Sequence, residues 1–249
     1  MSLKLYIKNN DVTLKKLTLP SRYYLFKESE NYIKLLTVGE GLFPNDKIHT
    51  NIDMDGSNLI LASESAMKIY PSKGKFAASR YVFNLQRSNL EFLNDEIIMF
   101  KDSRFLQLFS IKFDENSTFF YTDMFSAGRS FEEYDFSEFA MRNRFIYDKN
   151  TEYLEEFKIS GHELKTYLKN CKAQKKLFAK IYTRTKNNNA FSEELLKIGI
   201  KSFEKTQNEA ILICIVLGNK ISQIKSAVSL VWELYRKMLG KSAFDLGKR

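Results

Sequence analysis

The sequence is poor in the residues that build disulfide frameworks, metal clusters and flexible linkers. It has two cysteines, Cys171 and Cys214, two histidines, His49 and His162, 3 prolines and 10 glycines among 249 residues. The cysteines form no CxxC pair and are typical of unpaired thiols in a reducing compartment. So little proline and glycine argues against disordered or low-complexity segments. The length fits one large domain.

A segment long enough to span a membrane is also missing. The longest apolar run, residues 210–217, has the length of a strand, and the first ten residues contain no apolar signal core. We therefore expect a soluble, cytoplasmic protein with no membrane partner.

The motifs of common enzyme classes are absent as well. The sequence contains no GxSxG, no P-loop, no GxGxxG, no HExxH and no Cys/His group with metal-ligand spacing. His49 lies on an alternating segment, where a solvent-facing side chain is the simpler interpretation than a catalytic base. No carboxylate pair has a spacing that compels an acid–base assignment. These absences predict a non-catalytic protein with no permanently bound cofactor and no catalytic residues.

Aromatic residues are abundant, with 21 Phe and 13 Tyr, and they favour strands. Alternation of apolar and polar residues dominates the first 160 positions and predicts many short strands. Asp55-Gly56 predicts a hairpin between two of them. The predicted strands include residues 3–7, 48–54, 59–61, 80–85, 90–93, 96–100, 104–113, 117–125, 139–147 and 152–159. The pattern indicates a mainly β fold: a sandwich, a barrel or a solenoid.

The pattern changes after about residue 186. Asn187-Asn188-Asn189 predicts a loop, and Ser192 is the predicted N-cap of a helix. A buried strand is predicted over residues 210–217, and helical spacing from about Ser222 ends near Gly240. We therefore expect a single domain, 1–249, with a β-rich body over 1–186. A helix–strand–helix coda over 187–249 packs on that body.

The net charge of +9 is concentrated in the second part of the chain. Residues 158–186, here called the basic band, contain nine Lys or Arg against the single acid Glu163. Such a band suits an acidic protein, nucleic acid or an anionic surface as partner. It also fits a solvated lysine-rich face with no partner.

Six strings carry a resemblance to one known family. They are GEGLFPND (39–46), SESAMKIY (63–70), EIIMFKDSRF (96–105), TDMFSAGRS (122–130), YLEEF (153–157) and VWELYRKMLGK (231–241). In this order and with these gaps, they resemble the urease accessory protein family UreD, called UreH in some organisms. The chain departs from the family pattern at Asn45, a usual glycine, and lacks the usual final Pro-Arg-Ile-Trp.

The resemblance implies a β-rich fold similar to a right-handed β-helix and a non-catalytic role in urease maturation. It implies UreF, the nickel-carrying GTPase UreG and apo-urease subunits as partners, and Ni²⁺ as an ion in transit. Oxygen donors suit such transit, since histidine and thiolate would hold nickel too tightly. By the resemblance, Asp46, Asp123 and Glu156 are expected as transient ligands, with Glu64 as a speculative fourth.

Each of these acids also has a purely structural interpretation. Asp46 can form a turn, Asp123 can pair with Arg129, and alternation places either Glu155 or Glu156 in solvent. Other family-typical residues are expected to serve the fold or an interface: Lys68, Tyr70, Glu96, Arg104, Gly128 and Arg129, with Trp232 in the core.

Two other functions remain open from the sequence. The chain can be a generic β-rich interaction module, or a nucleic-acid binder that uses aromatic residues among the lysines of the basic band. We favour a third use of the band, contact with an acidic face of urease or UreF through Lys172, Lys175 and Lys176.

Overall fold

Strands make up most of the computed structural model, which describes residues 1–27, 29–37, 40–129, 131–172 and 176–247. The strands before the first helix are β1 (Ser2–Lys8), β2 (Asp11–Thr18), β3 (Ser21–Lys27), β4 (Asn31–Thr37), β5 (Lys47–Asp55), β6 (Asn58–Ser63), β7 (Met67–Ile69), β8 (Ala77–Gln86), β9 (Asn89–Leu93), β10 (Ile97–Met99), β11 (Arg104–Phe113), β12 (Thr118–Ser126), β13 (Glu138–Tyr147) and β14 (Asn150–Ile159). The later elements are α1 (Gly161–Asn170), β15 (Leu177–Arg184), α2 (Asn188–Lys197), β16 (Phe203–Lys205), β17 (Leu212–Gly218) and α3 (Ile221–Met238).

The body is a β-solenoid, in which the chain passes repeatedly between two stacked sheets. One sheet has the order β14-β13-β11-β8-β5-β1-β2, and the other has the order β16-β17-β15-β12-β9-β6-β4-β3. Strands of successive coils pair in parallel, as in β5–β8 and β8–β11 of the first sheet and β6–β9 and β9–β12 of the second. The prediction of a mainly β, solenoid-like fold is confirmed.

The hairpin predicted at Asp55-Gly56 is wrong. β5 pairs with β1 and β8, whereas β6 pairs with β4 and β9 in the opposite sheet. Gly56 has a φ of +58°, as a tight turn requires, but this turn carries the chain across the core to the other sheet. The two strands flanking the turn therefore do not pair.

Inward-facing side chains of the two sheets form one aromatic core. Alternation along β8 and β11 buries every second residue, because successive side chains of a strand point to opposite faces. Tyr121 of β12 stacks on Phe92, Phe109 and Tyr182, with ring centroids 5.5, 3.8 and 5.6 Å away. These rings span the space between the sheets and hold them in register.

The coda contains the predicted strand and both predicted helices, with boundaries that differ by a few residues: the strand is β17, and α2 begins within the predicted loop 187–189. The N-cap of α2 is Asn187, whose side chain accepts a hydrogen bond from the Ala190 amide, so Ser192 lies inside the helix. α3 ends next to Gly240, which has a φ of +70° as expected for that position. The short strand β16 adds to the predicted order.

The sequence analysis missed α1, which follows β14. Its N-cap Ser160 accepts a hydrogen bond from the Glu163 amide, and the Glu163 carboxylate accepts one from the Ser160 amide. This capping box is a recognisable Ser-x-x-Glu signal in the sequence. No helix among the described residues combines the length and the apolar character that crossing a membrane requires.

Candidate functional site

A line of polar side chains crosses the core between the two sheets, and we call it the interior polar strip. Its members face inward from β8, β11, β13 and β14 of one sheet and from β12 and β15 of the other. They are Ser79, Gln107, Asn143 and Glu155 on the first sheet, and Tyr121, Asp123, Lys180 and Tyr182 on the second. Buried polar groups in an otherwise aromatic core are costly, so each requires an account of its partners.

Asp123 lies at the centre of the strip and is 0% exposed. Its carboxylate accepts hydrogen bonds from Gln107 Nε2 at 2.7 Å, from Asn143 Nδ2 at 2.8 Å and from the Tyr121 hydroxyl. Burial raises the pKa of Asp123 from 3.8 to about 6, although these hydrogen bonds oppose the shift. At neutral pH the carboxylate is therefore largely ionised in an environment where a charge is poorly solvated.

The sequence-based suggestion that Arg129 neutralises Asp123 is not what the structure contains. Arg129 instead makes a two-pronged contact with Glu132, with Arg129 Nε and Nη2 at 3.0 and 2.7 Å from Glu132 Oε1. Among the described residues, no lysine or arginine forms an ion pair with Asp123. The donors around Asp123 are neutral, so its charge is hydrogen-bonded but not compensated.

The strip continues from Asp123 to the edge between β14 and β15. Asn143 Nδ2 also donates to the Tyr182 hydroxyl at 3.1 Å, and that hydroxyl donates to Glu155 Oε2 at 2.5 Å. Glu155 forms an ion pair with Lys180, and these two side chains are 14% and 20% exposed. Burial raises the pKa of Tyr182 well above 10.0, and the charges of Asp123 and Glu155 raise it further, so this hydroxyl remains a donor.

Several oxygens of the strip have no hydrogen-bond partner among the described residues. They are Ser79 Oγ, Gln107 Oε1 and Asn143 Oδ1, and Gln107 lies directly beside Ser79 in the β8–β11 pairing. Orphaned buried oxygens in a native fold call for an ordered water or an ion. The strip is therefore equipped to hold water or a cation between the sheets.

A small cavity lies at the other side of the strip. It has a volume of about 50 Å³, and its walls include Tyr81, Thr50 and Ser21. Tyr81 lies two residues beyond Ser79 on the inward face of β8, and the Asp123 charge adds to burial in raising the pKa of Tyr81. A cavity of this size holds one or two waters. Polar groups thus extend from this cavity to the Glu155 edge.

Of the four acids expected to contact nickel, Asp123 lies in the strip and the others lie outside it. Asp46 accepts a hydrogen bond from the Phe43 amide at 2.9 Å in the turn before β5. Glu64 is 46% exposed and lies 3.4 Å from Lys34. Glu156 is 53% exposed on the outer face of β14, where it pairs with Arg142.

Sequence reasoning missed Glu155, the inward neighbour of Glu156. The signal that could have found it is the phase of β14, where Tyr153 and Phe157 lie on the same face as Glu155. The sequence signal for Gln107 and Asn143 as members of the strip is weaker. Each is a polar residue at a position of its strand where the alternation otherwise has apolar side chains.

Most family-typical residues gather where β7 and β10 run side by side. Tyr70 donates to Glu40 at 3.1 Å and stacks on Phe43, and the Arg129 guanidinium lies 4.2 Å from the centre of the Phe100 ring. Lys68 is exposed on β7 itself, and Gly128 lies close to the Met99 carbonyl. Glu96 forms an ion pair with Lys225 of α3. Arg104 forms one with Glu138.

Trp232 lies elsewhere, in the core beneath α3. It is buried and donates to Glu91 at 2.7 Å. Arg236, also on α3, pairs with the same carboxylate.

The basic band is less cationic than its sequence suggests. Lys158, Lys165, Lys176 and Lys180 pair with Glu138, Asp135, Glu133 and Glu155. Of the three lysines expected at a partner, Lys172 is exposed, Lys176 is the one that pairs with Glu133, and Lys175 lies outside the described residues.

A high-affinity metal centre has no obvious ligand set in the described ranges. No group of three or more His, Cys, Asp or Glu side chains there is arranged to hold a metal ion. Cys214 is buried and Cys171 is exposed, and both are free thiols. A cation in the strip would instead meet Asp123 or Glu155 together with amide, hydroxyl and water oxygens, which bind nickel more weakly.

Comparison with known proteins gives a consistent family assignment. Residues 17–246 match the family model described as UreD urease accessory protein. The urease accessory protein UreD of Aliarcobacter butzleri strain RM4018 is 48% identical over 250 residues, which covers 100% of both chains. The protein of the same name from Prochlorococcus marinus strain MIT 9312 is 26% identical over 95% of this chain and 88% of its own.

Proposed function

The chain belongs to the UreD family of urease accessory proteins, and from this premise we propose that it is a non-catalytic scaffold that helps deliver Ni²⁺ to apo-urease. The proposed partners are apo-urease and the accessory proteins UreF and UreG. Any GTP hydrolysis in this assembly belongs to UreG, since the sequence has no P-loop.

The observation that carries the nickel part of the proposal is the interior polar strip. Its central carboxylate, Asp123, is buried and forms no ion pair within the described part of the chain, and it lies among buried oxygens that have no hydrogen-bond partner there. An ionised carboxylate in a medium of low dielectric constant attracts a cation strongly. Oxygen donors exchange nickel faster than imidazole or thiolate donors do, which suits a route rather than a store.

The proposed route follows the strip from the Tyr81 cavity past Asp123 to the Glu155 edge. Asp123 keeps the role expected from the sequence, and Glu155 takes the place of Glu156. Asp46 and Glu64 are assigned to a turn and to a surface pair, because their contacts are local. Along this route Ni²⁺ would bind at successive sites that each offer few protein ligands, and water would complete its coordination.

Nucleic-acid binding loses support from the ion pairs of the basic band. Phosphate binding draws on unpaired Lys and Arg that release counterions from the nucleic acid. With lysines 158, 165, 176 and 180 paired to acids of this chain, the field over the band is weakened. Exposed Lys172 can still contact an acidic face of a protein partner.

Co-expression of urease with its accessory proteins, with and without this chain, tests the proposal. Nickel content and activity of the purified urease should both fall without the chain and return with the wild type. Asp123→Asn should not restore them, whereas the control Asp11→Asn, at an exposed position of β2, should. Full nickel loading without the chain would overturn the maturation role. Full restoration by Asp123→Asn would overturn the route but leave the scaffold.

A further inference from the structure

Lys180 is an unusual neighbour for a route that carries cations. It lies directly opposite Asp123 in the antiparallel β12–β15 pairing, so the two side chains leave the sheet on the same inward face. The Lys180 ammonium group lies 5.6 Å from the centre of the Phe157 ring and forms an ion pair with Glu155. A positive charge thus lies at the outer end of the interior polar strip.

This ammonium competes directly with any metal ion for the Glu155 carboxylate. It neutralises the first acid that an ion would meet at that edge, and it repels a divalent cation bound near Asp123. Lysine suits such competition because its charge is a compact group on a flexible four-carbon chain. At 20% side-chain exposure, Lys180 has access to solvent without unfolding of either sheet.

We infer that Lys180 is a tethered counter-ion, which occupies the Glu155 end of the strip in the absence of metal and moves to solvent when Ni²⁺ arrives. The inference rests on the proposed nickel route and adds a mechanism to it. When the ion leaves, the ammonium returns to Glu155, so the carboxylate is never left uncompensated. Lys180 therefore keeps the affinity of the strip for nickel low and favours release of the ion.

Equilibrium binding of nickel chloride to the purified full-length chain, followed by calorimetry, tests this role. Lys180→Gln removes the charge and should tighten Ni²⁺ binding by at least about tenfold. Lys180→Arg keeps a positive charge at the same place and should bind nickel as weakly as the wild type. The matched control is Lys158→Gln, since Lys158 also pairs with a carboxylate, that of Glu138, at the sheet surface.

A second variant separates a counter-ion from a merely structural ion pair. In Lys180→Gln/Glu155→Gln the ammonium and its carboxylate are both removed, and nickel binding should return to the weak wild-type level. If Lys180 were only structural, Lys180→Gln would lower the melting temperature and leave nickel affinity unchanged or weaker. That result would overturn the inference.

Failure of the counter-ion role can be distinguished from failure of the nickel route. Normal nickel loading of urease with Asp123→Asn would reject the route and the counter-ion together. Loss of loading with Asp123→Asn, combined with unchanged nickel affinity in Lys180→Gln, would retain the route and reject the counter-ion.

Discussion

Asp123 combines full burial with an ionisable group that has only neutral donors around it. Three hydrogen bonds from Tyr121, Gln107 and Asn143 favour the charged form, but desolvation outweighs them and the pKa rises to about 6. A group of this kind lowers the stability of the fold once it is ionised. It is therefore expected at a site retained for function rather than for stability.

The raised pKa of Asp123 predicts a specific dependence of stability on pH. The native state binds this proton more tightly than the unfolded state, so the stabilising contribution is complete below pH 3.8 and is lost as pH rises to about 6. Relative to Asp123→Asn, the wild type should lose about 2 kcal/mol of unfolding free energy between about pH 4 and pH 6. Urea denaturation of both proteins at each pH measures the difference. A constant difference across this range would contradict the assigned environment of Asp123.

The pair Glu155 and Glu156 illustrates what the sequence could predict at single residues. Alternation correctly indicates that one of the two faces solvent, as Glu156 does. The phase was ambiguous because Leu154, which is in step with Glu156, is also apolar, although it is exposed. Tyr153 and Phe157 are in step with Glu155, and their aromatic rings pack inward. Packing of the large rings decides the phase, which a two-letter apolar/polar pattern does not capture.

At the scale of elements, strands were easier to predict than their partners. Alternation located β11 over Arg104–Phe113, the range that the structure has. It could not tell that Asp55-Gly56 joins two different sheets, because a tight turn has the same residues in a hairpin and between coils. The pairing of β5 with β8 depends on contacts between distant segments, which local pattern does not contain.

α3 is attached to the body by a buried network of charges centred on Glu91 of β9. Glu91 is 0% exposed, and it accepts hydrogen bonds from Arg236 at 2.7 Å, Trp232 at 2.7 Å and Lys241 at 2.9 Å. Arg236 and Lys241 also pair with Glu30. The network connects the coda to the solenoid. It therefore gives the last family-typical motif, residues 231–241, a structural role.

Removing Arg236 and Glu91 together should cost less stability than the sum of the costs of removing each alone. Arg236→Met or Glu91→Gln alone should each lower the unfolding free energy by about 3 kcal/mol, because the buried charge that remains keeps only one of its two partners, Lys241 for Glu91 or Glu30 for Arg236. The double variant should lose about 1–3 kcal/mol less than the sum of the single losses. Urea denaturation of all four proteins measures the coupling. Additive losses would show that Arg236 and Glu91 act independently.

For the whole molecule, the sequence predicts a β-rich body with a helical coda because both patterns repeat over many residues. It does not predict the interior polar strip, whose members come from six strands spread over residues 77–184. Nor does it predict that acids of the first 156 residues neutralise lysines of the basic band. Both features arise only when the two sheets stack.

For the assembled molecule, the central part of the proposed function is that nickel passes through the interior polar strip and not over its surface. Neighbouring residues of β14 provide a matched comparison, since Glu155 faces the strip and Glu156 faces solvent with Arg142. Glu155→Gln and Glu156→Gln change one atom each, in the same strand. Loss of the exposed Glu156–Arg142 pair should cost at most about 1 kcal/mol in stability.

The most direct measurement is the nickel content of urease co-expressed, under limiting nickel, with each of these two variants and with the wild type. Glu155→Gln should lower the nickel content of urease roughly tenfold, as is typical when a polar group beside a bound metal is lost. Glu156→Gln should load urease as the wild type does. Equal loading by both variants, or a defect confined to Glu156→Gln, would contradict passage of nickel through the interior.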